Sequence, residues 1–131
     1  MNIIKMERNA SSRRWYIENE IAVLAYSSLG RGLFSGKVHS DEIEKAKEMM
    51  GPGAANAYCH PGNFERLARA EKLAFEKNAS VSQIALAWIL KQEVNAFPIV
   101  SASTAKRIEE NVKAIDIELT DDEARWLNLE V

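Results

Sequence analysis

Two apolar runs constrain this chain more than any other feature. Ile21-Ala22-Val23-Leu24-Ala25 and Ala96-Phe97-Pro98-Ile99-Val100 have the length of strands, and both give way to small hydroxyl-bearing residues. Apolar runs that do not alternate with polar residues suit a parallel sheet buried on both faces. Pro98 removes one amide donor, so the second strand should be short or near an edge. A parallel pair needs a helical crossover, and the sequence between the runs turns helical. The expected class is therefore α/β with strands alternating with amphipathic helices. A weaker first strand is read at Ile3-Ile4 and Met6.

The helical segments follow from spacing and caps. Ser11 or Ser12 can cap a brief helix through Arg13–Asn19, with Trp15 as its buried anchor. Ser40-Asp41-Glu42 marks a helix start, and Gly51-Pro52-Gly53 ends that segment. Residues 51–62, rich in small residues and holding two prolines, read as a loop. Phe64, Leu67, Ala70 and Ala74 then recur at helical spacing. Ser82 can cap a helix whose apolar face includes Ile84, Leu86, Trp88, Ile89 and Leu90. A further helix is expected over about Thr104–Ala114, and Thr120-Asp121-Asp122-Glu123 is a capping box that opens a last helix with Trp126 and Leu127. With 131 residues and no internal repeat or linker, residues 1–131 read as a single domain.

Composition excludes several function classes. Seventeen basic and nineteen acidic residues give a formal charge of -2, too balanced for nucleic acid to be the leading partner. No apolar run reaches membrane-spanning length, and the first residues lack the apolar block of a signal peptide. The single cysteine, Cys59, has no internal disulfide partner, so a reducing, cytoplasmic setting is expected. His39, Cys59 and His60 lack the spacing of a metal site, and no metal is expected.

The loop AYSSLGRGLFSGK after the first run is rich in glycine and ends in Lys37. It fits neither the G-x-G-x-x-G dinucleotide fingerprint nor the phosphate loop that ends in lysine and a hydroxyl residue. Ligands of parallel α/β folds sit beyond the carboxyl ends of strands, where Tyr26-Ser27-Ser28 and Ser101-Ala102-Ser103-Thr104 lie. Ser103 and Thr104 fall where a helix begins, so free amides would face a phosphate there. Arg107, three residues into that helix, could add a bidentate contact. Each residue also has a plainer reading. Tyr26 could be a packed strand-end ring with a wet hydroxyl, and Lys37 a solvated charge. Arg107 could form helix-surface ion pairs with Glu109 and Glu110, and Glu110-Asn111 could be an exposed turn.

These loops carry a family resemblance. AYSSLGRGLFSGK and STAKRIEEN resemble the late cofactor loops of aldo-keto reductases, the nicotinamide-dependent (β/α)8 oxidoreductases. IAVLAYSSLGRGLFSGK, NFERLARAEKLAFEKNASVSQIALAWIL and IEENVKAIDIELTDDEARWL extend the likeness over roughly residues 2–129. The resemblance implies a partial TIM barrel, about strands six to eight with their helices. Tyr26 would stack on the nicotinamide; Ser27 and Leu29, with the backbone near Gly30 and Arg31, would surround the pyrophosphate, and Lys37 would reach the same phosphates. Ser103 and Arg107 would grip the adenosine 2'-phosphate that distinguishes NADP from NAD, and Glu110 and Asn111 would meet the adenine. Ser28 stands where the family commonly has proline, which should loosen the loop. The family's catalytic aspartate, tyrosine, lysine and histidine come from earlier in the barrel; none of their motifs occurs here, and Tyr16 and Tyr58 lie in no matching context. No catalytic residue is therefore assigned, and the isolated chain is expected to bind NADP weakly and to be inactive.

Two or three strands cannot close a barrel, so open edges and wet strand faces should drive self-association into a homodimer or larger assembly. Two alternatives remain beside the cofactor-binding segment. One is a structural, self-associating barrel fragment with no specific ligand; the other is a subunit completed in trans by a chain that supplies the missing strands and tyrosine.

Overall fold

The structure, a computed structural model, describes residues 10–131; the possible strand at Ile3–Met6 lies outside them. Helix α1 (Ala10–Glu18) leads into strand β1 (Val23–Ala25), followed by a 3-10 turn at Gly30–Gly32. Helices α2 (Ile43–Met50), α3 (Pro52–Tyr58), α4 (Pro61–Glu76) and α5 (Val81–Leu90) separate β1 from strand β2 (Ala96–Pro98). Helix α6 (Ala105–Val112), a 3-10 turn (Lys113–Asp116) and helix α7 (Asp121–Leu127) complete the described chain.

β1 and β2 pair in parallel, with Val23 opposite Ala96, Leu24 opposite Phe97 and Ala25 opposite Pro98. Val23 donates its amide to the Asn95 carbonyl at 2.9 Å, and Ile99 donates to the Ala25 carbonyl at 2.9 Å. The odd-numbered residues thus exchange bonds with β1, and Pro98 turns its donorless nitrogen to the other edge. That register is why a proline is tolerated here. The strands are shorter than the apolar runs, and their two faces differ. Ala25 and Ala96 are buried against the helices, whereas Leu24 is 66% exposed and Phe97 49%. The expected burial on both faces is corrected: the described helices cover one side of the sheet only.

The core lies between that sheet and helices α4, α5 and α7. Phe64, Leu67, Ala70 and Ala74 all face inward from α4. α5 is buried from Ile84 through Ile89, a continuous apolar segment, although Leu90 at its end is exposed rather than packed. Trp88 is buried with its indole N–H donating to the Ala124 carbonyl at 2.9 Å, which joins α5 to α7. Burying each such large side chain contributes roughly 1.5–3 kcal/mol. Trp126 is half-buried, with the guanidinium of Arg69 and the ammonium of Lys72 lying 5.1 and 5.4 Å from its ring centre.

Several local expectations are corrected. Trp15 is 53% exposed and meets Tyr16 edge-on at 5.8 Å instead of anchoring a core. Helix α1 runs from Ala10, so Ser11 and Ser12 lie within it. Glu42, not Ser40, precedes α2, and the Ser40 hydroxyl donates instead to Glu71 at 2.6 Å. Residues 51–62 are not a loop: Gly51 adopts φ 73°, and Pro52 and Pro61 each occupy a helix's first turn, where no intrahelical N–H is required. Ser80 rather than Ser82 caps α5. The box at Thr120 and Glu123 forms as the sequence indicates, with both reciprocal bonds present.

Candidate functional site

Beyond the carboxyl ends of β1 and β2 lies a hollow of about 670 Å³, a size common for small-ligand sites. Its first wall comes from the segment after β1. Tyr26 leaves the strand end 62% exposed, and Ser27, at φ 51°, turns the chain sharply. Leu29 and Arg31 follow, Arg31 also in the left-handed region at φ 57° within the 3-10 turn. Gly30, Gly32 and Gly36 have positive φ too, which explains the glycine density of this loop. The Ser35 hydroxyl donates to the Gly32 carbonyl at 2.6 Å and braces the turn before Lys37.

The second wall comes from the segment after β2. Ser103 precedes Thr104, whose side chain caps α6 by accepting from the Arg107 amide at 3.3 Å. Arg107, Glu110 and Asn111 then project toward the hollow at helical spacing. All nine residues singled out in the sequence, Tyr26, Ser27, Leu29, Arg31, Lys37, Ser103, Arg107, Glu110 and Asn111, line this one hollow. None is left elsewhere on the molecule.

Charge makes the hollow receptive to anions. Lys45, Lys47, Arg69, Lys72, Lys77, Lys91 and Arg125 all sit in ion pairs. Arg31, Lys37 and Arg107 form none among the described residues, as is also true of Arg13, Arg14, Arg66, Lys106 and Lys113 elsewhere, and the Arg107–Glu110 pair that would have neutralised the site is not made. Three cations and the hydroxyls of Ser27, Ser35 and Ser103 border one concave space. Such a set fits a polyanionic ligand of extended shape.

Ser28 holds the two walls together. It is buried, and its hydroxyl donates to the Ala25 carbonyl at 2.6 Å while lying 3.1 Å from the Ile99 carbonyl. Ala25 also accepts from the Ile99 amide, so both lone pairs of that carbonyl are engaged. The expectation that serine loosens this loop is therefore corrected; its hydroxyl ties the strand ends. The sequence reading also did not assign Ser35 and Ser82 to the hollow. The Ser80-x-x-Gln83 box could have fixed the start of α5, but no local signal carries Ser82 to a wall built from the other segments.

Outside the hollow, His39 Nδ1 lies 2.9 Å from Glu71. Burial pushes the Cys59 thiol above its ordinary pKa, with Lys47 opposing, so the thiolate is disfavoured. Among the described residues no group of three histidine, cysteine or acidic side chains could hold a metal ion.

The sequence model described as the Aldo/keto reductase family matches residues 1–128. The chain belongs to this family. Proteins similar to it include versiconal hemiacetal acetate reductase of Aspergillus parasiticus, 39% identical over 127 residues that cover 96% of this chain and 37% of that protein. Aldo-keto reductase str7 of Strobilurus tenacellus is 35% identical over 79% of this chain and 31% of its own length. Aldo-keto reductase yakc [NADP(+)] of Schizosaccharomyces pombe is 30% identical over the same shares. The chain thus spans about a third of the length of these relatives. A crystal structure of the thermostable aldo-keto reductase Tm1743 with the inhibitor epalrestat matches with a TM-score of 0.59 at 23% identity, covering 88% of this chain and 32% of that one. The fold is accordingly α/β and similar to that of an aldo-keto reductase, with a two-stranded parallel sheet among the described residues.

Proposed function

We propose that this chain is the cofactor-binding, carboxyl-terminal segment of an NADP-dependent aldo-keto reductase, a single domain built from about strands six to eight of the barrel. The observation that carries this reading is the convergence of two distant segments on one hollow with three unpaired cations. Tyr26 presents a ring face for the nicotinamide. Ser27, Leu29, Arg31 and Lys37 border the pyrophosphate. Ser103 and Arg107, at the start of α6, receive the 2'-phosphate, where a guanidinium and a hydroxyl can bind several oxygens. Glu110 and Asn111 offer an acceptor and an amide to the adenine edge. A relative whose name specifies NADP(+) supports the choice of dinucleotide.

When bound, NADPH supplies a hydride to a carbonyl carbon. Protonation of the resulting alkoxide needs a positioned acid, and we assign that role to no residue of this chain. The isolated chain accordingly binds the dinucleotide weakly and turns over no carbonyl, the catalytic aspartate, tyrosine, lysine and histidine belonging to the preceding part of the barrel. A cytoplasmic setting accompanies this reading.

A second reading, self-association without a specific ligand, is favoured by the exposed sheet face of Leu24, Phe97 and Ile99. Self-association is compatible with cofactor binding, and we include a homo-oligomer in the proposal. Calorimetric titration with NADPH and NADH separates the two readings. Tighter NADPH binding that is lost in Arg107→Ala supports the reductase segment. No binding of either nucleotide at millimolar concentration overturns it and leaves the structural reading.

A further inference from the structure

The adenosine end of the hollow is held by a residue that binds no ligand in the reading above. Gln83 sits in the first turn of α5, adjacent to Ser82, which lines the hollow. Its two amide atoms face different elements. Oε1 accepts from the Ser80 backbone N–H at 2.9 Å and completes the capping box of α5. Nε2 donates to the Glu110 carbonyl at 2.7 Å, 27 positions away. That carbonyl is one of the last four of α6, a group whose intrahelical partners run out as the helix ends. The assignment of the amide is fixed by this network, because the reverse orientation would set N–H against N–H and oxygen against oxygen.

Glu110 and its neighbour Asn111 both border the hollow, and Arg107 lies one turn earlier on α6. The bond from Gln83 therefore ties α5 to the helix that carries all three. Without it, α6 would rest on the Thr104 cap at its start and on packing at its exposed surface, where Ile108 and Val112 are about half exposed. We propose that Gln83 is a positioning residue for the adenosine end of the cofactor cleft: by holding the Glu110 carbonyl it sets where Arg107, Glu110 and Asn111 meet a 2'-phosphorylated adenosine. The proposal rests on the cofactor reading given above.

Two variants separate positioning from general stability. Gln83→Glu keeps an oxygen for the Ser80 N–H, so the α5 cap persists, but replaces the donor to Glu110 with a repelling oxygen. Gln83→Met is neutral and of similar length, and controls for the added charge. Each variant is titrated by calorimetry with adenosine 2',5'-bisphosphate and with reduced nicotinamide mononucleotide, and thermal unfolding is recorded in parallel. The expected result is roughly three- to tenfold weaker binding of the bisphosphate in both variants, the effect of one lost hydrogen bond. Reduced nicotinamide mononucleotide should bind as in the parent chain, and Gln83→Glu should still unfold cooperatively, well above the titration temperature. Equal weakening of both half-ligands, or bisphosphate binding unchanged in Gln83→Glu while Arg107→Ala abolishes it, overturns the positioning role alone. No bisphosphate binding by the parent chain overturns the cofactor reading and this role with it.

Discussion

Ser28 and Ile99, 71 positions apart, meet side chain to backbone at 3.1 Å, and the same hydroxyl donates to the Ala25 carbonyl at 2.6 Å. One buried proton is thus shared between the ends of two parallel strands, at the point where both loops that border the hollow depart. Ser28→Ala should lower unfolding free energy by about 1–2 kcal/mol, because the Ile99 carbonyl loses a donor in a partly buried place. Urea unfolding of the variant measures this. A change below about 0.3 kcal/mol would show that the hydroxyl does not clamp the strands.

Lys37 and Arg107 should affect nucleotide binding differently. Lys37→Met removes a charge that the proposed function sets against the pyrophosphate, which NADPH and NADH share, so both should weaken by a similar factor. Arg107→Ala should weaken NADPH alone. Raising salt should weaken the parent chain's binding of either nucleotide, since Lys37 is exposed and its interaction is screened. Calorimetry at two ionic strengths tests the set. A preference between nucleotides that shifts in Lys37→Met would contradict the division of roles.

Stability should fall in acid, in part through Glu123. Burial works to raise its pKa, but the bonds from Lys77 and from the Thr120 backbone outweigh it and hold the carboxyl below its ordinary value of 4.5. A depressed folded-state pKa means that this contribution is complete above the unfolded value and fades as pH drops through the folded one. Glu123→Gln should therefore flatten the acid side of the stability profile below about pH 4.5, measured by denaturant titrations across that range. An unchanged acid limb would remove Glu123 from the account.

Leu24 and Phe97 stand opposite one another on the uncovered sheet face, at 66% and 49% exposure. Replacing both with glutamine should shift the chain from dimer or larger species toward monomer in sedimentation at micromolar concentration. A parent chain that sediments as a stable monomer would end the self-association proposal.

Two residues of α4 should respond oppositely to truncation. Leu67 is fully buried, so Leu67→Ala should cost about 2–5 kcal/mol through lost contacts and an unfilled cavity. Phe75 is 89% exposed, and Phe75→Ala should change stability by less than about 0.5 kcal/mol. Thermal or urea unfolding checks both, and similar costs at the two positions would mean that the packing side of α4 is misassigned.

Local chemistry made some of this molecule legible in its sequence. Helix-spaced apolar residues in α4 and the Thr120–Glu123 box depend on neighbours a few positions away, and both appear where their pattern places them. The same reasoning failed where one residue type serves two local structures. Pro52 and Pro61 read as loop residues in the sequence, yet each begins a helix, because a proline at the first turn leaves no required bond unmade.

By itself the sequence determined the α/β class, the order of most helices and the two segments that border the hollow. Tertiary structure alone decided which faces are covered. Periodicity marks a stripe as apolar but cannot say whether another element lies against it, so Trp15 and Leu24 read as buried and are exposed. It decided as well that Ser28 binds the strand ends and that Gln83 reaches Glu110. Those bonds join residues far apart along the chain, and a hydrogen bond depends on distance in space, which only the folded arrangement supplies.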